Sequence, residues 1–293
     1  MTTSNRPRVE LLVIDLDDTA WTWFEAWYSS FKALLDGLQA MTGLDRSVLE
    51  ADAREVHQAH GTSEYSFLVN EMATLRPFVP AEQTPTQYFD SAIHLQNSAR
   101  KHAIELFPGV LDTVRQIRCS GVPVVAYTES LKFWTEWRFR RLKFDIEIDR
   151  LYSSPDHAFP IGLSPKDVRT LPASQYQLRV EQREVPRGIS KPNPHILTQI
   201  VSEYGVDPSR TAYVGDKPAR DVKMAQSVGA LDVHAKYGEV LPGVEYSLLQ
   251  RVSHWPDSDV ISEHLTEERP AASYVLDQSF DQLLDLFEFG VHR

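Results

Sequence analysis

The sequence predicts an α/β protein: an open parallel sheet with helices on both faces, joined to a small all-helical unit. Three observations predict it. Short, continuously apolar runs alternate with helix-period segments, residues 21–101 carry helical patterns almost throughout, and acids or hydroxyls end several of the apolar runs. A strand that is apolar at every position is buried on both sides, and a parallel sheet covered by helices provides that burial.

The first run is "VELLVID" (9–15), in which four apolar residues lead straight into an acid. "GVPVVAYT" (121–128), "TAYVGD" (211–216) and "LDVHA" (231–235) repeat the type, and "SYVLD" (273–277) is a weaker fifth. Helices fall between them. "GVLDTVRQIRCSG" sets Val110, Val114 and Ile117 at helical spacing and stops at Gly121, which suits a C-terminal cap. "PARDVKMAQSVGA" does the same with Val222, Ala225 and Val228 before Gly229. "SFDQLLDLFEF" opens on Ser279 as an N-cap and lines up Phe280, Leu283, Leu284 and Phe287.

Residues 21–101, with turn signals near Gly43, Gly61, Pro77, Pro80 and Pro85, read as a helical domain inserted after the first strand. The core is then 1–20 and 102–293. Within it, 153–188 is proline-rich and polar and reads as an irregular insertion, with "YQLRVEQREV" (176–185) fitting a strand or hairpin arm. Residues 237–272 form a second extension, expected to hold a helix and surface loops.

The 293 residues carry 30 basic and 41 acidic side chains, a formal charge of −11. That sign repels nucleic-acid backbones and anionic membranes, so neither is an expected partner. No stretch approaches the ~20 apolar residues of a membrane span, and "MTTSNRPRVE" lacks the apolar run of a secretory signal. Cys119 is the single cysteine, which excludes a disulfide framework or a cysteine zinc site. A cytoplasmic setting is the expectation, and the oligomeric state is left open.

Ligands of an open parallel sheet bind beyond the carboxyl ends of its strands. Asp15 and Asp17 end the first strand, Thr128 ends the second run, Asp216 ends "TAYVGD", and Asp221 follows a turn later. Carboxylates gathered in a partly dry site cost several kcal/mol unless a cation offsets them. A set of oxygen donors suits Mg2+.

"DLDDT" (15–19), a strand ending in Thr128, "SKPNP" with Lys191, and "VGDKPARD" (214–221) together resemble the haloacid-dehalogenase-like hydrolase superfamily. Its signature is Asp-x-Asp-x-Thr, a Ser or Thr after a strand, a Lys, then Gly-Asp with a further Asp, and all four occur here in that order. The "FPGV" at 107–110 and the helical insert, at the cap position of the family's phosphatase branch, extend the likeness. The resemblance implies a Rossmann-like core with a helical cap, and a Mg2+-dependent phosphatase acting on a small phosphorylated metabolite. Asp15 would attack phosphorus and form an aspartyl-phosphate. Asp17 would protonate the leaving alcohol and later deprotonate water, oriented by Thr19. Thr128 and Lys191 would bind the phosphate. Asp15, Asp216 and the backbone carbonyl of Asp17 would hold the metal, with Asp221 holding a metal-bound water or Lys191.

Dehalogenases of the family typically lack the second aspartate, because a halide leaves without a proton, so Asp17 favours phosphoryl transfer. A phosphotransferase or mutase on the same fold, and a non-enzymatic binding or scaffold protein, remain alternatives. Glu129 departs from the pattern, standing where a small polar residue or Asn is common. Elsewhere, Trp21, Trp23, Phe24, Trp27, Tyr28 and Phe31 read as hinge packing and helical core, with Trp21 or Trp23 as alternative substrate contacts. His57 and His60 read as solvent-facing, and Arg138, Arg140 and Arg141 as an exposed helix face. Asp18 reads as solvated and Cys119 as an inert core thiol.

Overall fold

The computed structural model describes residues 6–156, 159–160, 172–256 and 270–291. The strands are β1 (Arg8–Val9), β2 (Leu11–Ile14), β3 (Val124–Leu131), β4 (Arg150–Ser154), β5 (Glu181–Glu184), β6 (Thr211–Gly215), β7 (Leu231–Ala235), β8 (Tyr274–Leu276) and β9 (Glu288–Phe289). The helices used below are α1 (Trp23–Thr42), α2 (Arg46–His60), α3 (Asp90–Ala103), α4 (Val110–Cys119), α5 (Lys132–Leu142), α6 (Pro194–Tyr204), α7 (Lys223–Val228) and α8 (Val244–Val252).

Seven strands form one sheet in the order β5-β4-β3-β2-β6-β7-β8, and each pairing is parallel. From β2 the chain steps outward through β3, β4 and β5, then returns to build β6, β7 and β8 on the other side. The order therefore reverses at β2, and the crevice beyond its carboxyl end is where such a sheet binds ligands. The sheet with its helices is Rossmann-like.

β2 shows why its sequence is apolar throughout. Leu12 and Ile14 point to one face, among Val110, Val114 and Ile117 of α4 and Phe280 and Leu283. Leu11 and Val13 point to the other, among Ile196, Leu197, Ile200 and Val201 of α6 and Met224 and Ala225 of α7. Alternate residues serve opposite faces, and both faces are covered by helices.

α1, α2 and α3 build a separate apolar cluster, with Trp27, Phe31, Leu34, Leu35 and Leu38 packed near Leu49, Ala53, Phe89 and Ala92. A Cβ at Gly37 of α1 would lie 2.8 Å from the Cβ of Ala92, so the two helices touch there and only glycine allows it. Gly43 and Gly61 end α1 and α2 in the left-handed conformation, as their turn signals predict.

Several expectations need correction. β4 begins before the stretch read as an irregular insertion, and Ser153 and Ser154 belong to it. It is short and half polar, so it carries no run to read. β5 lies inside the period-2 stretch but pairs parallel to β4, as an edge strand and not a hairpin arm. The rest of the insertion falls partly at 157–158 and 161–171, outside the described residues, as does 257–269 of the second extension.

That extension holds the expected helix, α8, yet the helix does not pack on the sheet. Leu248, Leu249 and Val252 join the cluster of the inserted helices. Arg54 donates to the Gln250 carbonyl at 2.7 Å, and Arg251 pairs with Glu50 at 2.7 Å. His57, far from solvent-facing, is buried, with Nδ1 donating to the Val252 carbonyl at 2.6 Å. His60 stacks on Tyr65 and pairs with Glu71. Cys119, the last residue of α4, is exposed and not in the core. Among the described residues, no helix is long and apolar enough to cross a membrane.

Candidate active site

The loop after β2 is pinned at both ends. The Asp15 amide donates to the Val214 carbonyl at 2.8 Å, continuing the ladder to β6. The amides of Thr19, Ala20 and Trp21 then converge on the Leu16 carbonyl. Asp18 takes a positive φ of 58° within this turn, a conformation short polar residues tolerate. It is buried, not solvated, because its carboxylate accepts from the Phe24 amide at 2.9 Å in the first turn of α1. Burial raises its pKa, the neighbouring Asp216 adding to the effect. A Cβ at Gly238 would sit 1.7 Å from the Asp18 carbonyl oxygen, so the chain after β7 closes directly on this loop.

Asp15, Asp216 and Asp221 come together at the carboxyl edge of β2 and β6, with carboxylate oxygens within 4.8 Å of one another. Lys191 lies between two of them, its Nζ 2.6 Å from Asp15 and 2.9 Å from Asp221. The ammonium also lies 5.1 Å from the Tyr127 ring and 5.6 Å from the Tyr213 ring, within reach of their π faces. Asp221 accepts in addition from the Tyr213 hydroxyl at 3.0 Å and the Lys217 amide at 3.1 Å. It comes from a π-helical turn, Pro218–Val222, that follows β6. A Cβ on Gly215 would fall 2.3 Å from the Asp221 carboxyl carbon, which is the physical reason for glycine before Asp216.

Charge in this cluster is unbalanced. Burial pushes Asp15 well above the usual carboxylate range, and the fields of Asp221 and Asp216 add to it against Lys191. Burial likewise lifts Asp216 to about 6. For Lys191, burial favours the neutral amine, but Asp15 and Asp221 overcome it and hold the ammonium charged. One Asp216 oxygen, Oδ1, is buried with no hydrogen-bond partner. Three buried carboxylates, one with an orphaned oxygen, fit a hard divalent cation that takes oxygen ligands and offsets negative charge.

Asp17 goes elsewhere. Its carboxylate accepts from the Trp21 indole at 2.6 Å and from the Ser130 hydroxyl, and Arg138 lies 3.7 Å away. Its carboxylate is therefore not part of the three-acid cluster. Thr19, expected to orient Asp17, instead points its hydroxyl at Asp15 at 3.5 Å. Thr128 is buried at the same sheet edge and accepts from the Ser130 amide at 3.1 Å. Glu129 has a structural account: one oxygen accepts from the Lys191 amide at 2.9 Å and the other from Arg220 at 3.0 Å. It ties the end of β3 to the loop before α6 and to the turn after β6.

Arg138 is buried and not on an exposed face. It is held between Asp17 and Glu64, and Glu64 also accepts from the Trp23 indole at 3.0 Å. Ser130, Arg138, Glu64 and Tyr213 were not singled out from sequence as parts of this site. The only signal for Arg138 was an arginine among aromatics in "WRFRRLKF" (137–144), which an exposed helix face carries equally well.

A Rossmann-like sheet thus carries three buried acids and a lysine paired with two of them at the point where its strand order reverses. The chain belongs to the haloacid dehalogenase-like hydrolase family, whose model matches residues 9–229. It is 22% identical over 236 residues to the glyceraldehyde 3-phosphate phosphatase of Methanopyrus kandleri, covering 79% of this chain and 85% of that one. It is 33% identical over 78 residues to the N-acetylmuramic acid 6-phosphate phosphatase of Pseudomonas aeruginosa, a match spanning 27% of this chain and only 31% of that protein. Among solved structures, the 2-haloacid dehalogenase of Pseudomonas syringae pv. Tomato superposes with a TM-score of 0.52 at 18% identity, over 95% of this chain and 97% of that one. That likeness concerns the fold alone.

Proposed function

We propose that this protein is a Mg2+-dependent phosphatase that hydrolyses a small phosphorylated metabolite, a phosphate monoester, through an aspartyl-phosphate on Asp15. One observation carries the reading: the Lys191 ammonium 2.6 Å from Asp15, beside Asp216 and Asp221, at the edge where the strand order reverses. Both curated relatives above are named as phosphatases, which supports the same chemistry. The substrates in their names are not carried over.

Asp15 is the nucleophile, and as a carboxylate it needs no base once ionised. Its neighbours Asp216 and Asp221 oppose ionisation, and Lys191 favours it. Mg2+ held by Asp15 and Asp216, with the Asp17 carbonyl, would supply the positive charge that lets a carboxylate approach a phosphate dianion. Lys191 and the Thr128 hydroxyl bind phosphate oxygens. Asp221 keeps Lys191 in place through its 2.9 Å contact. Asp17 gives its proton to the departing alkoxide and later removes one from the water that cleaves the acyl-phosphate, which requires its carboxyl to turn from Ser130 and Trp21. Such acid–base help is worth roughly 10²–10⁴ in rate. The inserted helices act as a cap that excludes bulk water during the first transfer. The substrate is taken from solution in the cytoplasm, without nucleic acid or membrane as partner.

Phosphate release from p-nitrophenyl phosphate, with and without EDTA, tests this. Turnover that stops on chelation and returns with Mg2+ is expected. Equal release by the wild type and Asp15→Asn overturns it.

A further inference from the structure

A cavity of about 190 Å³ lies between α1, α2 and α3 of the inserted helices and the start of α5. Its walls are mostly apolar, with Trp27, Phe31, Ile93 and Trp134 among them. An apolar cavity of about 150 Å³ accepts a benzene-sized molecule, so this one has room for a ring with a substituent. Three charged side chains line it, Arg100 of α3, Glu64 and Asp156, and Arg100 is only 7% exposed. Asp156 accepts from the Phe133 amide at 3.0 Å.

Arg100 is held in an uncommon state for a buried cation. Its guanidinium lies 4.2 Å over the Trp134 ring and donates to Asn97 at 3.2 Å, while its Nε has no partner. Among the described residues, no carboxylate pairs with it. Glu64, whose field reaches it, is engaged by Arg138 and Trp23. Burial lowers its pKa to about 10, against that field. A buried guanidinium without an anion costs several kcal/mol, and a carboxylate delivered by a ligand recovers much of it through a charge-assisted bond.

The cavity also adjoins the chemistry. Glu64 lines it, Arg138 binds Glu64, and Arg138 stands 3.7 Å from Asp17. One guanidinium separates the cavity wall from the group assigned to the leaving oxygen. We propose that the cavity receives the leaving-group end of the substrate, and that this end is an apolar body carrying a carboxylate to Arg100. The inference rests on the phosphatase reading and names the substrate class it implies: phosphate esters of hydroxy acids with an apolar frame.

Two isosteric esters separate charge from shape, 4-carboxyphenyl phosphate and its neutral amide, 4-carbamoylphenyl phosphate. The wild type is expected to prefer the carboxylate by at least tenfold in kcat/KM, mainly through KM. Arg100→Met, which keeps bulk and removes a buried unpaired charge, should lose that preference without a lower Tm. Gln96→Trp, filling the cavity from a partly exposed position, should raise KM for both esters. Equal use of the two esters by the wild type, or a preference that survives Arg100→Met, overturns the proposal. Calorimetry with 4-hydroxybenzoate reads the same site without turnover, and binding at least tenfold weaker to Arg100→Met is expected. Binding there without phosphate release from any ester would overturn the phosphatase reading and the substrate assignment, leaving a carboxylate site alone. Hydrolysis of phenyl phosphate with no role for Arg100 would overturn only the cavity.

Discussion

Asp15 and Asp17 lie two positions apart and face different partners. Asp15 meets Lys191, whereas Asp17 meets Trp21, Ser130 and Arg138. Asp15→Asn keeps the shape, since an amide oxygen still accepts from Lys191, and removes the carboxylate proposed above as the nucleophile. A loss of at least 10³-fold in kcat is expected with an unchanged circular dichroism spectrum, and a rate near wild type would end the covalent mechanism. Asp216→Ala removes the oxygen that lacks a partner, so activity and the Mg2+ titration should weaken together; an unaltered titration would move the metal away from this cluster. Glu129→Ala should lower kcat/KM about tenfold, because the Lys191 amide and Arg220 both lose an acceptor. The same change in a purely surface glutamate would leave the rate within error. Asp15, Asp17, Thr128, Asp216 and Asp221 were legible as candidates because strand ends are readable from apolar runs, and Lys191 through the order of the family's motifs. The orientation of Asp17 was not, since it depends on Ser130 and Arg138, which lie more than a hundred positions downstream.

Elements carry the second set of consequences. The turn after β6 must bring Asp221 back against Gly215, and the absent Cβ makes room for it. Gly215→Ala should therefore displace Asp221 from Lys191 and cut activity at least tenfold with only a modest fall in Tm; full activity would show that the turn gives way without moving the acid. β2, β3 and β6 were readable because helices cover both faces of the sheet, which leaves continuous apolar stretches at 11–14, 124–127 and 212–214; β7 is readable although Asp232 and His234 interrupt it. β4 and β5, toward the edge, were poorly readable because they carry arginine, serine and glutamate. α8 was recognised as a helix, but its docking partner was invisible, because an amphipathic stripe says only that one face is buried.

The whole molecule is tied together by α8, which leaves the sheet after β7 and returns to the inserted helices. His57 is the buried link, donating to Val252. Burial lowers its pKa from 6.5 to about 4, so the folded chain resists protonating it. Between those values the unfolded chain binds more protons, and stability therefore falls as pH drops from about 6.5 to about 4. The full effect is about 3 kcal/mol. Urea midpoints at pH 7 and pH 5 should differ in the wild type by more than in His57→Phe; the same difference in both would place the acid sensitivity in other groups.

By itself, the sequence determined the class of fold, the family and the list of acids with their lysine. The fold class and the acids follow from local rules: which runs are apolar throughout, where they stop, and which residue types stand at the stops. The family and the lysine follow from the order of the four motifs and the resemblance it carries. Tertiary structure alone decided which acids share a cluster, why Glu129 and Gly215 stand where they do, that Arg138 and His57 are buried, and that Arg100 faces a cavity with no carboxylate paired to it among the described residues. Each of these depends on contacts between segments far apart in the chain, and periodicity within a single segment holds no record of its distant partner.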